Sequence, residues 1–320
     1  MESGRRKKNT WMRILLWILF IGWLIIGAKK MIAGNQPKII SPLPDSFPSQ
    51  SAAVTPTRKP TAKPFSFFAK KKDPDDLSKK ISDAVKDQWT DYSIVIEDYT
   101  SDFRLRESEG EIFIAASVNK VPILAALYYY ANKGDIDLDE QITVQAADIQ
   151  DYGTGSMRYE KPGAVYSIKT LAKLMIKQSD NTAAYILANH ILGFPRLTTI
   201  VTEWGLTQTD MVENSTSNQD IAKLFRMIYD GKITDTAHTQ EMLSFLKDTD
   251  HETRLPAKLP DTVTTYHKIG TEVSVIHDAG IVTDGTHTYY IGIFTKGTQE
   301  GEQTDALFAD VSKAIYDYMK

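Results

Sequence analysis

Ser117-Val-Asn-Lys120 sets a hydroxyl and an amine three residues apart at the head of an apolar run, VPILAALYYYA. On a helix such residues share one face, a turn apart, which is the spacing a nucleophile and its base require. A serine hydroxyl attacks a carbonyl only when a neighbour takes its proton, and lysine does so only if burial or a second cation pulls its pKa well below about 10.4. Read alone, the four residues are also a solvated helix start, and Ser244-Phe-Leu-Lys247 repeats the spacing. Ser179-Asp180-Asn181 precedes a second apolar run, TAAYILANHIL. Its residue types are the preferred helix caps. His267-Lys268-Ile269-Gly270-Thr271 falls on a strand, where Gly270 would let a ligand approach the backbone.

The elements that must position these groups can be read from periodicity. Tyr92 to Asp98 and Glu111 to Ala115 are short, β-branched and aromatic, and the polar stretch between them suits a hairpin. Val273 to Val282 and Thr288 to Thr295 form a late pair joined across Asp284-Gly285. Helices fill the middle. Ser167 opens one through Leu171, Leu174 and Met175; Ser217 caps another in which Ile221, Leu224, Phe225 and Ile228 repeat at helical spacing before Gly231 stops it. A last stripe joins Leu307, Val311, Ala314, Ile315 and Tyr318. Strands at both ends around helices imply an α+β domain: an antiparallel sheet built from both chain ends, with an inserted all-helical subdomain facing it and a cleft between them.

In this order, Ser-x-x-Lys, then Ser-Asp-Asn, then Lys-x-Gly on a late strand resembles the active-site set of the class A β-lactamases and penicillin-binding proteins, from about Tyr92 to the carboxyl terminus. Ser244 follows Ser-Asp-Asn and so falls in the wrong order. The resemblance implies that Ser117 attacks an amide carbonyl and becomes acylated, with Lys120 taking its proton. Ser179 then relays a proton to the departing nitrogen, and Asn181 orients Lys120 and the substrate's amide side chain. Lys268 attracts the substrate carboxylate and helps depress Lys120, while the backbone N–H groups of Ser117 and Thr271 form an oxyanion hole. No metal or cofactor is implied.

Two departures bear on the outcome. Ile269 stands where the family usually carries Thr or Ser, and Thr271 is left to supply that hydroxyl. Class A β-lactamases also use a glutamate on a long loop after Ser-Asp-Asn to release the acyl group. Here ten residues, LTQTDMVENS, separate Gly205 from Thr216, and Glu213 is the candidate base besides Asp210. Three readings stay open: a lactamase, a D,D-peptidase or transpeptidase of peptidoglycan, and a catalytically silent wall-binding or sensor module. Other conspicuous residues read blandly. Six scattered histidines lack ligand spacing, and His267 reads as a strand neighbour of Lys268. Tyr128, Tyr129 and Tyr130 read as helix packing. Gly153-Thr-Gly-Ser156 lacks a following Lys and reads as a flexible cleft rim rather than a phosphate cradle.

Composition places these motifs in context. At 320 residues, 42% hydrophobic and 24% charged, the chain can bury a sizeable core. It has no cysteine, which removes disulfides, thiol catalysis and Cys-based metal sites. Residues 1–72 carry 14 basic against two acidic side chains, a net +12, leaving 23 against 39 and −16 for the rest. An acidic globule argues against nucleic acid as its partner. Ile14 to Ala28 is an uncharged apolar run between basic flanks. Fifteen residues rise about 22 Å, which snorkelling flanks extend toward the roughly 30 Å hydrocarbon core. Residues 1–35 are therefore expected to form a cytoplasmic basic tail and an uncleaved signal-anchor, with the globule outside the cell. Residues 36–72 hold seven of 13 prolines and read as an extended tether. Residues 73–320 are the expected monomeric catalytic domain, acting on a β-lactam or peptidoglycan peptide.

Overall fold

A computed structural model describes residues 72–320. The apolar run Ile14–Ala28 and the proline-rich tether lie outside the described residues. Among those described, no helix is long and apolar enough to cross a membrane.

Five strands form one antiparallel sheet in the order β2-β1-β9-β8-β7: β1 (Asp91–Asp98), β2 (Arg104–Glu107), β7 (Thr264–Glu272), β8 (Val275–Thr283) and β9 (Thr288–Lys296). Both chain ends meet in it, because β1 pairs with β9 from Asp91↔Lys296 to Asp98↔Tyr289. Alternate side chains serve two cores. Ile94, Ile96, Tyr289, Ile291 and Ile293 pack against α1 (Pro74–Val85) and α8 (Glu302–Met319), whereas Val95, Ala279, Ile281, Tyr290 and Phe294 join the core of the inserted helices. The described residues thus form an α+β domain with an antiparallel sheet from both chain ends, as the sequence pattern implies, and the sheet has helices on both faces.

The insertion holds α2 (Lys120–Asn132), α3 (Ile168–Lys177), α4 (Asn181–Ile186), α5 (Phe194–Glu203), α6 (Asn218–Tyr229) and α7 (Thr236–Phe245). Ser167 and Ser217 cap α3 and α6 through their hydroxyls, accepting from the Thr170 and Asp220 N–H groups. The insertion is not all-helical. It includes two short ladders, β3 (Ile112–Ile114) with β6 (Ser215–Ser217) and β4 (Gln141–Thr143) with β5 (Val165–Ser167).

This corrects the opening hairpin. The partner of β1 is β2, whose RLRE sequence buries only Leu105 and leaves both arginines outward at the sheet edge. Charged residues suit an unpaired edge, so β2 carries no apolar pattern to reveal it. β3 turns away to brace β6 instead.

Candidate active site

Ser117 sits in a 3-10 helix, Ala116–Asn119, that runs directly into α2. In 3-10 geometry residues three apart eclipse one another, so Ser117 and Lys120 share a face. The Lys120 N–H closes the turn onto the Ser117 carbonyl. Ala116, the residue before Ser117, has φ 49°, and Ser179 has φ 54°. Left-handed backbone at a residue with a side chain costs about 1–2 kcal/mol; Ser179 lies within the second motif and Ala116 immediately precedes the first, while Ser108, Asn214, Asp248 and Ser274 share the conformation elsewhere.

β7 reaches this turn through a glycine. A Cβ on Gly270 would stand 3.0 Å from the Ala115 carbonyl, 3.0 Å from Val118 Cγ2 and 3.3 Å from Ala116 Cβ. Gly270 therefore lets the turn that carries Ser117 approach the strand, rather than a ligand. The His267 N–H leaves the sheet to reach the Leu246 carbonyl at 2.7 Å. By strand alternation the Ile269 and Thr271 N–H groups point off the same edge.

Lys120 is buried and its ammonium group is spoken for. Nζ donates to the Ser179 carbonyl at 2.5 Å, to Ser179 Oγ at 3.2 Å and to Asn181 Oδ1 at 2.7 Å. Burial pulls the Lys120 pKa down to about 7 against the opposing pull of Asp180. Lys268, 1% exposed, is lowered well below its usual value, first by burial and then by repulsion from Lys120. The repulsion expected to depress Lys120 thus falls on Lys268. Its Nζ donates to the Ile269 carbonyl at 3.2 Å.

The Ser-Asp-Asn motif divides two jobs among three residues. Asp180 is the cap of α4, accepting from the Ala183 N–H, while Ser179 and Asn181 turn to Lys120. The Asn181 amide also donates to the Tyr152 carbonyl at 3.3 Å. One of its two N–H bonds remains for a ligand.

The glycine-bearing rim is not flexible. Thr154 Oγ1 donates to the same Ser179 carbonyl at 2.9 Å, and the Asn181 N–H donates to the Thr154 carbonyl at 3.3 Å. A Cβ on Gly155 (φ +105°) would lie 2.1 Å from Asp180 Oδ2. Arg158 holds the carbonyls of Gly153 and Asp151, each at 2.6 Å. The loop is pressed onto the motif, and only glycine fits. Outside it lies a cleft of about 380 Å³ lined by Thr154, Ser156, Arg158, Tyr159, Asp250 and His251 among others. Gln178 also lines the cleft, but neither Ser179 nor Ser117 does.

Glu213 is not drawn in. It lies exposed on the turn after α5, its N–H bonded to Asp210 Oδ1 at 3.0 Å, and its carboxylate joins no hydrogen bond of the Lys120 cluster. The short loop brings Asn214 inward instead: its carbonyl accepts from the Ala115 N–H and its Oδ1 from Asn119 Nδ2 at 3.0 Å. Thr271 Oγ1 accepts from Arg254 Nη2 at 2.9 Å. Arg254, buried and unmarked by any sequence signal, also donates to the Gly270 and His277 carbonyls and pairs with Asp305.

Among the described residues, no group of three or more His, Cys, Asp or Glu could hold a metal ion. The arrangement is a buried amine whose pKa lies near neutrality, bonded to the Ser179 hydroxyl and the Asn181 amide oxygen, with Ser117 one 3-10 turn before it on the same face and a second buried lysine, Lys268, close enough to feel its charge.

Comparison with known proteins gives three results. The model of a family described as the Beta-lactamase enzyme family matches residues 76–319. Beta-lactamase BRO-1 of Moraxella catarrhalis is 23% identical, with 66% of this chain and 74% of that protein covered; Beta-lactamase VEB-1 of Pseudomonas aeruginosa is 21% identical, covering 76% and 90%. Among solved structures, a variant of PBP-A in its acyl-enzyme complex with penicillin G superposes with a TM-score of 0.70 at 30% identity, covering 76% of this chain and 96% of that one. A beta-lactamase from Sphaerobacter thermophilus superposes at 0.71 and 21% identity, over 77% and 98%, a likeness of fold.

Proposed function

Because the chain belongs to the Beta-lactamase enzyme family and is a serine β-lactamase-like hydrolase, we propose that it is acylated at Ser117 by β-lactams and acts outside the cell from an amino-terminal membrane anchor. One observation carries this reading: Lys120, fully buried, with a pKa near 7 and 3.2 Å from Ser179 Oγ. An amine that is half neutral near pH 7 can accept the Ser117 proton and give it back. Ser117 Oγ forms the ester bond to the carbonyl carbon as its proton passes to Lys120 Nζ. The amide C–N bond then breaks, and a proton returns through Ser179 to the departing nitrogen. The N–H groups of Ser117 and Thr271 hold the developing oxyanion, each donor worth about 3 kcal/mol.

The exposed Glu213 favours slow release of the acyl group, as in a penicillin-binding peptidase or transpeptidase of the wall. PBP-A, recorded as an acyl-enzyme with penicillin G, supports that second reading. A silent module is disfavoured, since a non-catalytic fold gains nothing from burying Lys120.

Intact mass after penicillin exposure tests both. We expect a one-to-one adduct on the native chain and none on Ser117→Ala. Persistence over hours selects the peptidase, and loss within seconds the lactamase. Labelling of Ser117→Ala at the native rate would overturn the assignment.

A further inference from the structure

The segment after α7, residues 246–263, contains neither helix nor strand and meets β7 at its start, where the Leu246 carbonyl accepts from the His267 N–H, and again through Arg254, which donates to the Gly270 carbonyl. It carries His251, whose pKa is lowered by burial and then by the nearby Lys268, and Arg254, whose guanidinium holds the Thr271 hydroxyl. The strap thus carries the buried Arg254 to the Thr271 hydroxyl of β7, on the strand of the Lys-x-Gly motif where the proposed reading puts a substrate carboxylate. What fastens the strap is one histidine between two carboxylates, Asp278 buried and Glu252 partly exposed. His267 Nδ1 faces Asp278 Oδ1 at 2.8 Å and Nε2 faces Glu252 Oε1 at 3.1 Å, with the ring and Asp278 both fully buried. Asp278 Oδ2 also accepts from the Leu255 N–H at 3.0 Å. Both ends of Glu252–Leu255 are therefore pinned to one spot on the sheet, with Arg254 between. Gly280 opposite leaves the room: a Cβ there would lie 2.6 Å from His267 Cα.

We propose that His267 is a positioning residue, a buried imidazolium bridging Asp278 and Glu252 that holds the Arg254 strap for recognition of the substrate's carboxylate. Two carboxylates within hydrogen-bond reach of one ring require both nitrogens to donate, so the ring carries a proton on each. Burial alone would lower its pKa, but the charges and hydrogen bonds of Asp278 and Glu252 raise it to about 9. Lys268 beside it and Arg254 on the strap are the nearby cations, and Asp305 pairs with Arg254. The inference rests on the acyl-enzyme reading and extends it to substrate choice.

The test compares a penicillin with its methyl ester, which lacks the anion, on the full chain, Glu252→Gln and His267→Gln. Glu252 is the more exposed partner, so its variant keeps the experiment open should His267→Gln fail to fold. We expect acylation by the free acid to fall about tenfold through weaker binding with an unchanged limiting rate, and acylation by the ester to change less than about twofold. An equal loss for acid and ester, or no loss for either, overturns the proposal. No adduct with either form on the native chain overturns the acyl-enzyme reading and this inference with it, whereas an adduct without the acid–ester contrast overturns this inference alone.

Discussion

At the scale of single residues, the chemistry turns on how a lysine is kept from behaving like one. Lys120 has three oxygen partners, yet burial outweighs them and brings its pKa to about 7. Only the neutral amine can accept the Ser117 proton. The acylation rate constant should therefore rise with pH through a midpoint near 7, measured by stopped-flow with a fluorescent penicillin. Lys120→Arg should lose about 10²–10⁴-fold at every pH, because a guanidinium does not deprotonate. The clustering of Lys120, Ser179 and Asn181 was legible in the letters because hydroxyl, amine and amide groups recur there in a fixed order and spacing. Arg254 was not, since its segment has no periodicity and its role arises from crossing the edge of β7. His267 was visible as a strand residue, but two acids eleven and fifteen positions away carry its meaning.

At the scale of elements, the loop over residues 151–159 shows how a sequence reading can invert. Two glycines around a Thr suggest mobility when nothing is known of their neighbours. Here they are the only residues that fit beneath Asp180 and Asn181, and Thr154 shares an acceptor with Lys120. Gly155→Ala should force the loop off the motif, so that acylation falls by at least about 10²-fold, the scale of a 1 Å misplacement. Thr154→Val should fall less, since Lys120 still holds the Ser179 carbonyl. Titrating acylation rates of both variants against folded protein, measured by near-ultraviolet circular dichroism, checks this order. The element types of α3, α6, β8 and β9 followed from caps, turns and periodicity. β2 escaped because an edge strand needs no apolar face, and β3 was paired wrongly because a three-residue strand does not announce its partner.

At the scale of the molecule, the catalytic layer and the supporting layer are separable. Leu77, Ile81 and Val85 of α1 pack with Phe308, Ile315 and Met319 of α8 on the far side of the sheet, and Tyr318 ties the two helices at Asp73. Leu77→Ala should cost about 2–5 kcal/mol of stability, read from urea unfolding, with an unchanged acylation rate constant, because Leu77 shares no core contacts with the helices around Lys120. A matching loss of rate would show the layers to be coupled.

The exposed margin of β7 has one more effect, on how the protein keeps. Backbone donors left open for a ligand are equally a template for a stray strand from another chain. Ile269 and Thr271 present such donors beside a turn that cannot move closer without meeting Gly270. A ligand held along that margin would cover those donors, so the acylated protein should aggregate more slowly than the empty one in concentrated storage, as light scattering over days would show.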